Sequence, residues 1–177
     1  MKDNIIPSTV LTLICIIAAV LLTFAHELTK TNIAEQKALR FNSSVESLFG
    51  KTESRLIDDN FGNDRIKAIA VTPDGKTAVQ VCTDGYSKEG INILVGIDEN
   101  GVVSGIEFVS LGETPGLGSK VRDIPDFREQ FYGKSDYPVE VDAIGGATFS
   151  SKGMQTAVST ALEVYNNNKE AIINGGK

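Results

Sequence analysis

The sequence predicts an α+β fold: an antiparallel sheet packed with helices, preceded by one N-terminal transmembrane helix. Three observations carry this expectation. Short β-branched runs between residues 66 and 109 are separated by Asp/Asn-Gly turns, the pattern of an antiparallel meander. A long amphipathic stretch closes the chain, and a helix laid on a sheet buries both apolar faces. Residues 5–25, IIPSTVLTLICIIAAVLLTFA, carry no charge. At about 1.5 Å per residue, a helix of that length matches a hydrocarbon core of about 30 Å.

The apolar run comes first. Pro7 falls in its first turn, where a missing N–H costs little. A cleaved signal peptide is the competing reading, since Thr23-x-Ala25 is a tolerable cleavage site. Its apolar region would exceed the usual length of roughly 7–15 residues, so a retained anchor is expected. Lys2 lies on one side and Lys30, Lys37 and Arg40 on the other, and charge asymmetry therefore assigns no orientation. The expected division is a short tail at 1–4, the span at 5–25, a linker helix at 26–50 and the main domain at 51–177.

In the linker, Asn32 and Glu35 are spaced like a capping box. Phe41, Val45, Leu48 and Phe49 share a face suited to core packing, and Gly50 supplies a stop. Strands are expected at 66–71, 77–83, 91–97 and 102–109, joined at Pro73-Asp74-Gly75, Asp84-Gly85-Tyr86 and Asp98-Glu99-Asn100-Gly101. A helix near 125–132 follows. The final helix runs to about Asn168, with Met154, Ala157, Val158, Ala161, Leu162 and Tyr165 on one face.

Composition excludes several classes. The 177 residues carry a net charge of −6 without a Lys/Arg-rich run, which argues against a nucleic-acid partner. Cys15, Cys82 and His26 are too few and too scattered for a zinc or iron–sulfur site, so no metal is expected. His26 directly follows the apolar run, and no nucleophile–histidine pair is available; no catalytic residue is assigned. Cys82 is expected as a small core residue.

Two glycine-rich stretches remain. Asp142-Ala143-Ile144-Gly145-Gly146-Ala147-Thr148-Phe149-Ser150-Ser151 follows the apolar run 137–141 and opens the last helix. Its small residues let a ligand approach the backbone. Thr148 sits just before a helix N-terminus, where unpaired N–H groups and the helix dipole favour an anion such as a phosphate. Read alone, the stretch is better taken as an ordinary Gly-rich strand-to-helix turn with a serine N-cap. The second stretch, Leu111-Gly112-Glu113-Thr114-Pro115-Gly116-Leu117-Gly118-Ser119-Lys120, is a shaped loop. It fits neither a Walker A loop nor a dinucleotide fingerprint.

Taken together, Glu113-Thr114-Pro115-Gly116-Leu117-Gly118 and Asp142-x-x-x-Gly146-Ala147-Thr148 resemble the FMN-binding domain family. That family includes the G subunit of the Rnf ferredoxin:NAD oxidoreductase and the C subunit of the sodium-translocating NADH:quinone reductase. The resemblance extends to Glu27-Leu28-Thr29-Lys30, the Gly85-Tyr86 turn and Val95-Gly96-Ile97-Asp98. It implies that 51–177 is an FMN-binding domain and that Thr148 carries FMN through a phosphoester bond made by a separate flavin transferase. It also implies that Asp142 belongs to the segment the transferase recognises. Gly146, Ala147, Ser150 and Ser151 would surround the phosphate, with amides and hydroxyls of the two serines as donors. Glu113, Thr114, Pro115, Gly116, Leu117 and Gly118 would form the flavin-contacting loop. Two positions depart from the family pattern: Gly145 sits where Ser or Thr is usual, and Leu111 where many members have His.

The resemblance therefore implies a membrane-anchored electron-transfer subunit of an Rnf-type complex, coupling electron flow between ferredoxin and NAD to ion translocation. Its flavin domain would lie outside the cytoplasm, and its partners would be the other integral-membrane and redox subunits. A C-type quinone-reductase subunit, a free-standing FMN-binding module and a flavin-free assembly subunit are the alternatives.

Overall fold

The computed structural model describes residues 5–57 and 59–175; for 5–7, 25, 27–35 and 37–38 it gives the backbone alone. Two compact units divide the chain, Met1–Phe41 and Asn42–Lys177.

The first unit is helical. Helix α1 (Ile5–Phe49) runs without a break through Asn32, where a separate helix start was expected. The reason is compositional: no Gly or Pro falls between Ala25 and Phe49. The large apolar side chains from Val10 to Phe24 that are described are 50–71% exposed. Among the described residues, no helix is long and apolar enough to cross a membrane, so the span expected at 5–25 is not found there.

In the second unit α1 ends at Gly50, whose φ of +78° suits a residue without Cβ. Five strands follow: β1 (Arg55–Ile57), β2 (Ile66–Val71), β3 (Thr77–Thr83), β4 (Ile91–Ile97) and β5 (Val103–Leu111). They pair in sequence order and antiparallel throughout, the expected meander plus one edge strand. The Asp-Gly turns do their part. Gly75 and Gly101 take φ of +85° and +86°, and Asp98 accepts the N–H groups of Asn100 and Val102.

The two faces of the sheet differ. One register row, Ile69, Val79, Val95 and Ile106, joins the same core as Met154, Val158 and Leu162 of α4 (Thr148–Asn174). The adjacent row on the opposite face is small: Ala70, Ala78, Gly96 and Gly105. Leu48 and Phe49 at the end of α1 fill the space this row leaves. A Cβ on Gly96 would lie 3.3 Å from Phe49, and one on Gly105 would lie 2.9 Å from Leu48. Val45, one turn earlier, is buried as well.

Short helices α2 (Lys120–Asp123) and α3 (Pro125–Glu129) follow the sheet. Phe127 and Phe131 meet edge to face at 5.5 Å in the core beneath them. The helix expected to reach 132 thus ends early, in turns closed by Gly133 at φ +80°. Helix α4 bends at Asn168, its expected end, then continues to Asn174. Past the bend, the Arg55 guanidinium donates to the carbonyls of Ile172 (2.9 Å) and Ile173 (3.3 Å). That interaction is invisible in sequence. Cys82 is not a core residue: its side chain lies at the half-exposed face of β3, near the carbonyl of Glu89. Partial burial and the neighbouring Glu89 push its thiol pKa up, so nothing there favours a reactive thiolate.

Candidate functional site

The two glycine-rich stretches, some thirty residues apart in sequence, meet in space. A cavity of about 450 Å³ is lined by Tyr86, Thr114, Leu117, Gly118, Gly146, Ala147, Thr148, Phe149 and Ser150. That volume falls in the usual range for small-molecule sites. Hollows of about 570 Å³ and 580 Å³ elsewhere on the domain are lined by none of the residues singled out in the two glycine-rich stretches.

Three large apolar side chains stand exposed on this cavity: Tyr86 at 74%, Phe149 at 67% and Leu117 at 52%. Tyr86 and Phe149 approach edge to face with centroids 6.4 Å apart. Exposed aromatics converging on one hollow are costly in water and mark a ligand seat. Sequence reasoning did not assign either one to the site. The Gly85-Tyr86 turn and the position directly after Thr148 were the available signals.

The polar end of the cavity is the N-terminus of α4. Thr148 is its first residue, not the residue before it, and Ala147 occupies the cap without a side-chain hydrogen bond. The first intrahelical bond in the turn is Ser151 N–H to Ala147 O at 2.8 Å, which leaves the preceding first-turn N–H groups without helical acceptors. Thr148 is exposed, and its hydroxyl makes no hydrogen bond among the described residues. Gly146 takes φ +78°, and a Cβ on Gly145 or Gly146 would meet nothing within 4 Å. The site is thus open around the threonine. No Lys or Arg lines it, so an anion here would rely on backbone N–H groups and the helix dipole.

Other expected members turn inward: Ser150 only borders the cavity, and Ser151 and Glu113 lie outside its lining. Ser150 and Ser151 are buried with their hydroxyls committed inward. Ser150 Oγ donates to the Glu113 carboxylate, and Ser151 Oγ accepts the Ile144 N–H at 3.0 Å. Ser150 thus spends its hydroxyl proton on Glu113, where a donor to the phosphate was expected. Glu113 is buried behind the wall, Pro115 and Gly116 shape the loop, and Gly116 N–H donates to Ser119 Oγ at 2.9 Å. Asp142 is exposed, with its N–H donating to Gln130 Oε1 at 2.8 Å.

No strand lies between α3 and the 142–151 stretch. Side chains hold residues 139–144 instead. Val139 N–H donates to Ser159 Oγ (2.8 Å), Gln155 Nε2 donates to Val141 O (2.6 Å), and Ser151 takes the Ile144 N–H. Positions 151, 155 and 159 recur every four residues, so one stripe of α4 satisfies a backbone that no sheet reaches.

Among the described residues, no group of three or more His, Cys, Asp or Glu could hold a metal ion. The cavity suits an organic ligand with an apolar ring and an anionic end. Residues 85–163 match the FMN-binding domain family, and the match covers both halves of the cavity. The chain is 31% identical to the G subunit of the ion-translocating oxidoreductase complex of Vibrio vulnificus, over 87% of this chain and 85% of that one. The chain belongs to the FMN-binding domain family. It is also 29% identical to the corresponding G subunit of Aliivibrio fischeri, over 94% and 92% of the two chains. It is 28% identical to the G subunit of the Na⁺-translocating ferredoxin:NAD⁺ oxidoreductase complex of Acetobacterium woodii, over 76% and 73%. These relatives are named as components of oxidoreductase complexes that move ions.

Proposed function

We propose that this chain is the electron-transfer subunit of an Rnf-type ion-translocating oxidoreductase and carries FMN joined covalently to Thr148. The observation that carries the reading is the placement of an exposed threonine hydroxyl at the first turn of α4, at the mouth of an apolar cavity built by both motifs. Tyr86, Leu117 and Phe149 would receive the isoalloxazine ring, while the first-turn N–H groups of α4 would hold the phosphate. Bound there, the flavin would supply one-electron redox chemistry, and the protein supplies placement and electrostatics.

Attachment would form a bond from Thr148 Oγ1 to the phosphorus and break the P–O bond to the rest of the flavin donor, which leaves on its oxygen as the hydroxyl proton passes to it or to solvent. A flavin transferase performs this step in our reading, with exposed Asp142 in the segment it recognises. The adduct therefore adds the mass of FMN less water.

The run at 5–25 anchors the subunit in the membrane in this proposal. Supporting this are the absence of charge through the run and the exposed apolar side chains from Val10 to Phe24, which water would not tolerate. The flavin domain would lie on the extracytoplasmic side, against the integral and redox subunits of the complex.

The test is direct. Full-length protein, denatured and run on a gel, should fluoresce under ultraviolet light and show the FMN mass increment. Thr148→Ala should remove both, while Asp142→Ala should reduce flavin loading. Flavin that washes off on denaturation would refute the phosphoester.

A further inference from the structure

Glu113 is 6% exposed, and three donors converge on its carboxylate. The Tyr86 N–H reaches Oε2 at 3.0 Å, the Ser87 N–H reaches Oε1 at 3.0 Å, and Ser150 Oγ donates to Oε2. Two of these partners, Tyr86 and Ser150, line the cavity. Glycines make room for the group. A Cβ on Gly85 would lie 2.7 Å from Oε1, one on Gly90 would lie closer still, and one on Gly118 would lie 2.7 Å from Oε2. The carboxylate thus sits where the 84–90 turn, the 112–118 loop and the first turn of α4 come together, one layer behind the wall.

Each contact uses the carboxylate as an acceptor, which is the arrangement of an ionised group. Among the described residues, the ion pairs join other side chains, and none includes Glu113. The charge is held by N–H and O–H dipoles and is screened little by water.

We propose that Glu113 is the positioning residue of the site: it latches the Tyr86 turn to the start of α4 and places a fixed negative charge that sets the flavin's reduction potential. This rests on reading the cavity as a flavin seat. Reduction adds negative charge to a flavin, and a buried carboxylate behind the ring's wall opposes that addition. Its presence therefore keeps the potential low. The glycines at 85, 90 and 118 are, on this view, part of the same device, because any side chain there would displace the charge.

Two variants of the full-length chain separate the two roles. Glu113→Gln keeps the size and two of the three hydrogen bonds but removes the charge; Glu113→Ala removes everything. In a Thr148→Ala background, without covalent flavin, amide hydrogen exchange reports the latch alone. Glu113→Ala should speed exchange across 84–90 at least about tenfold, with Glu113→Gln intermediate and its largest effect at Ser87. Unchanged exchange in both variants would overturn the latch. In the Thr148-containing protein, spectroelectrochemical titration should show a higher midpoint potential for Glu113→Gln at full flavin loading. An unchanged potential in fully loaded Glu113→Gln would overturn the electrostatic role, since a purely structural residue predicts that result. A parent chain without flavin would overturn the site reading and the potential assignment together, and the exchange result would still decide the latch.

Discussion

Gly153 passes the backbone of Asp84 so closely that a Cβ on it would lie 2.5 Å from the Asp84 carbonyl oxygen. Thr83 Oγ1 adds a hydrogen bond to the Gly153 carbonyl at 3.0 Å. This contact seats the 84–90 turn on α4 and so fixes where Tyr86 stands relative to Thr148. Gly153→Ala should cost about 1–3 kcal/mol, because the opposing atom is backbone and cannot rotate away. Thermal or chemical unfolding of the variant measures it, and a change within error of zero would contradict the contact.

Neighbouring glycines in the 142–151 stretch should behave oppositely. Gly145 has open space around it and a φ outside the left-handed region, so Gly145→Ser should leave stability within about 0.5 kcal/mol. Gly146 lies at φ +78°, and Gly146→Ala should cost about 1–2 kcal/mol and shift Thr148. Comparing melting temperature and in-gel flavin fluorescence for the two variants checks both. A Ser or Thr at position 145 would meet no steric obstacle here.

Arg55 ties the edge strand to the last turns of α4, where carbonyls lack helical partners. Arg55→Ala should cost about 1 kcal/mol. Its signature should be faster amide exchange beyond the bend at Asn168, with the helix before it unaffected.

Acid should remove one local contribution. The Lys76 ammonium, 2.8 Å away, and the Thr72 hydroxyl hold the Asp74 carboxyl at about 2, below its ordinary 3.8. A lowered native pKa contributes stability above the unfolded value that is lost as pH falls toward the native one. The melting-temperature gap between parent and Asp74→Asn should hold constant above about pH 5 and close between 3.8 and 2. Asp74 is exposed and Lys76 half-exposed, so added salt should shrink the gap.

Legibility followed the reach of each physical signal. Strands β2 to β5 could be read because β-branched runs and Asp-Gly turns are local and repeated. Strand β1 could not: Arg55-Leu56-Ile57 is short, largely exposed and defined only by its partner. The bend at Asn168 coincides with the expected helix end, but the turns beyond it depend on a guanidinium more than a hundred residues away. At the site, the small residues and Thr148 were legible as room and anion affinity. The inward turn of Ser150 was not, because it depends on Glu113, thirty-seven positions earlier. Tyr86 and Phe149 escaped for the same reason, since neither belongs to a periodic pattern and only the fold brings them together.

The side-chain stripe of Ser151, Gln155 and Ser159 bears on how the proposed flavin attachment would proceed. Residues 139–144 are held to α4 by a few side-chain hydrogen bonds, each worth about 1 kcal/mol, and by the burial of Val139 in the core, with no strand pairing. Lifting this strap would break no rung of the sheet, though it would draw Val139 out of the core. If Thr148 is flavinylated as proposed, the transferase would meet the polypeptide around Asp142 as a segment free of sheet pairing. On that proposal, flavin loading would leave the sheet intact.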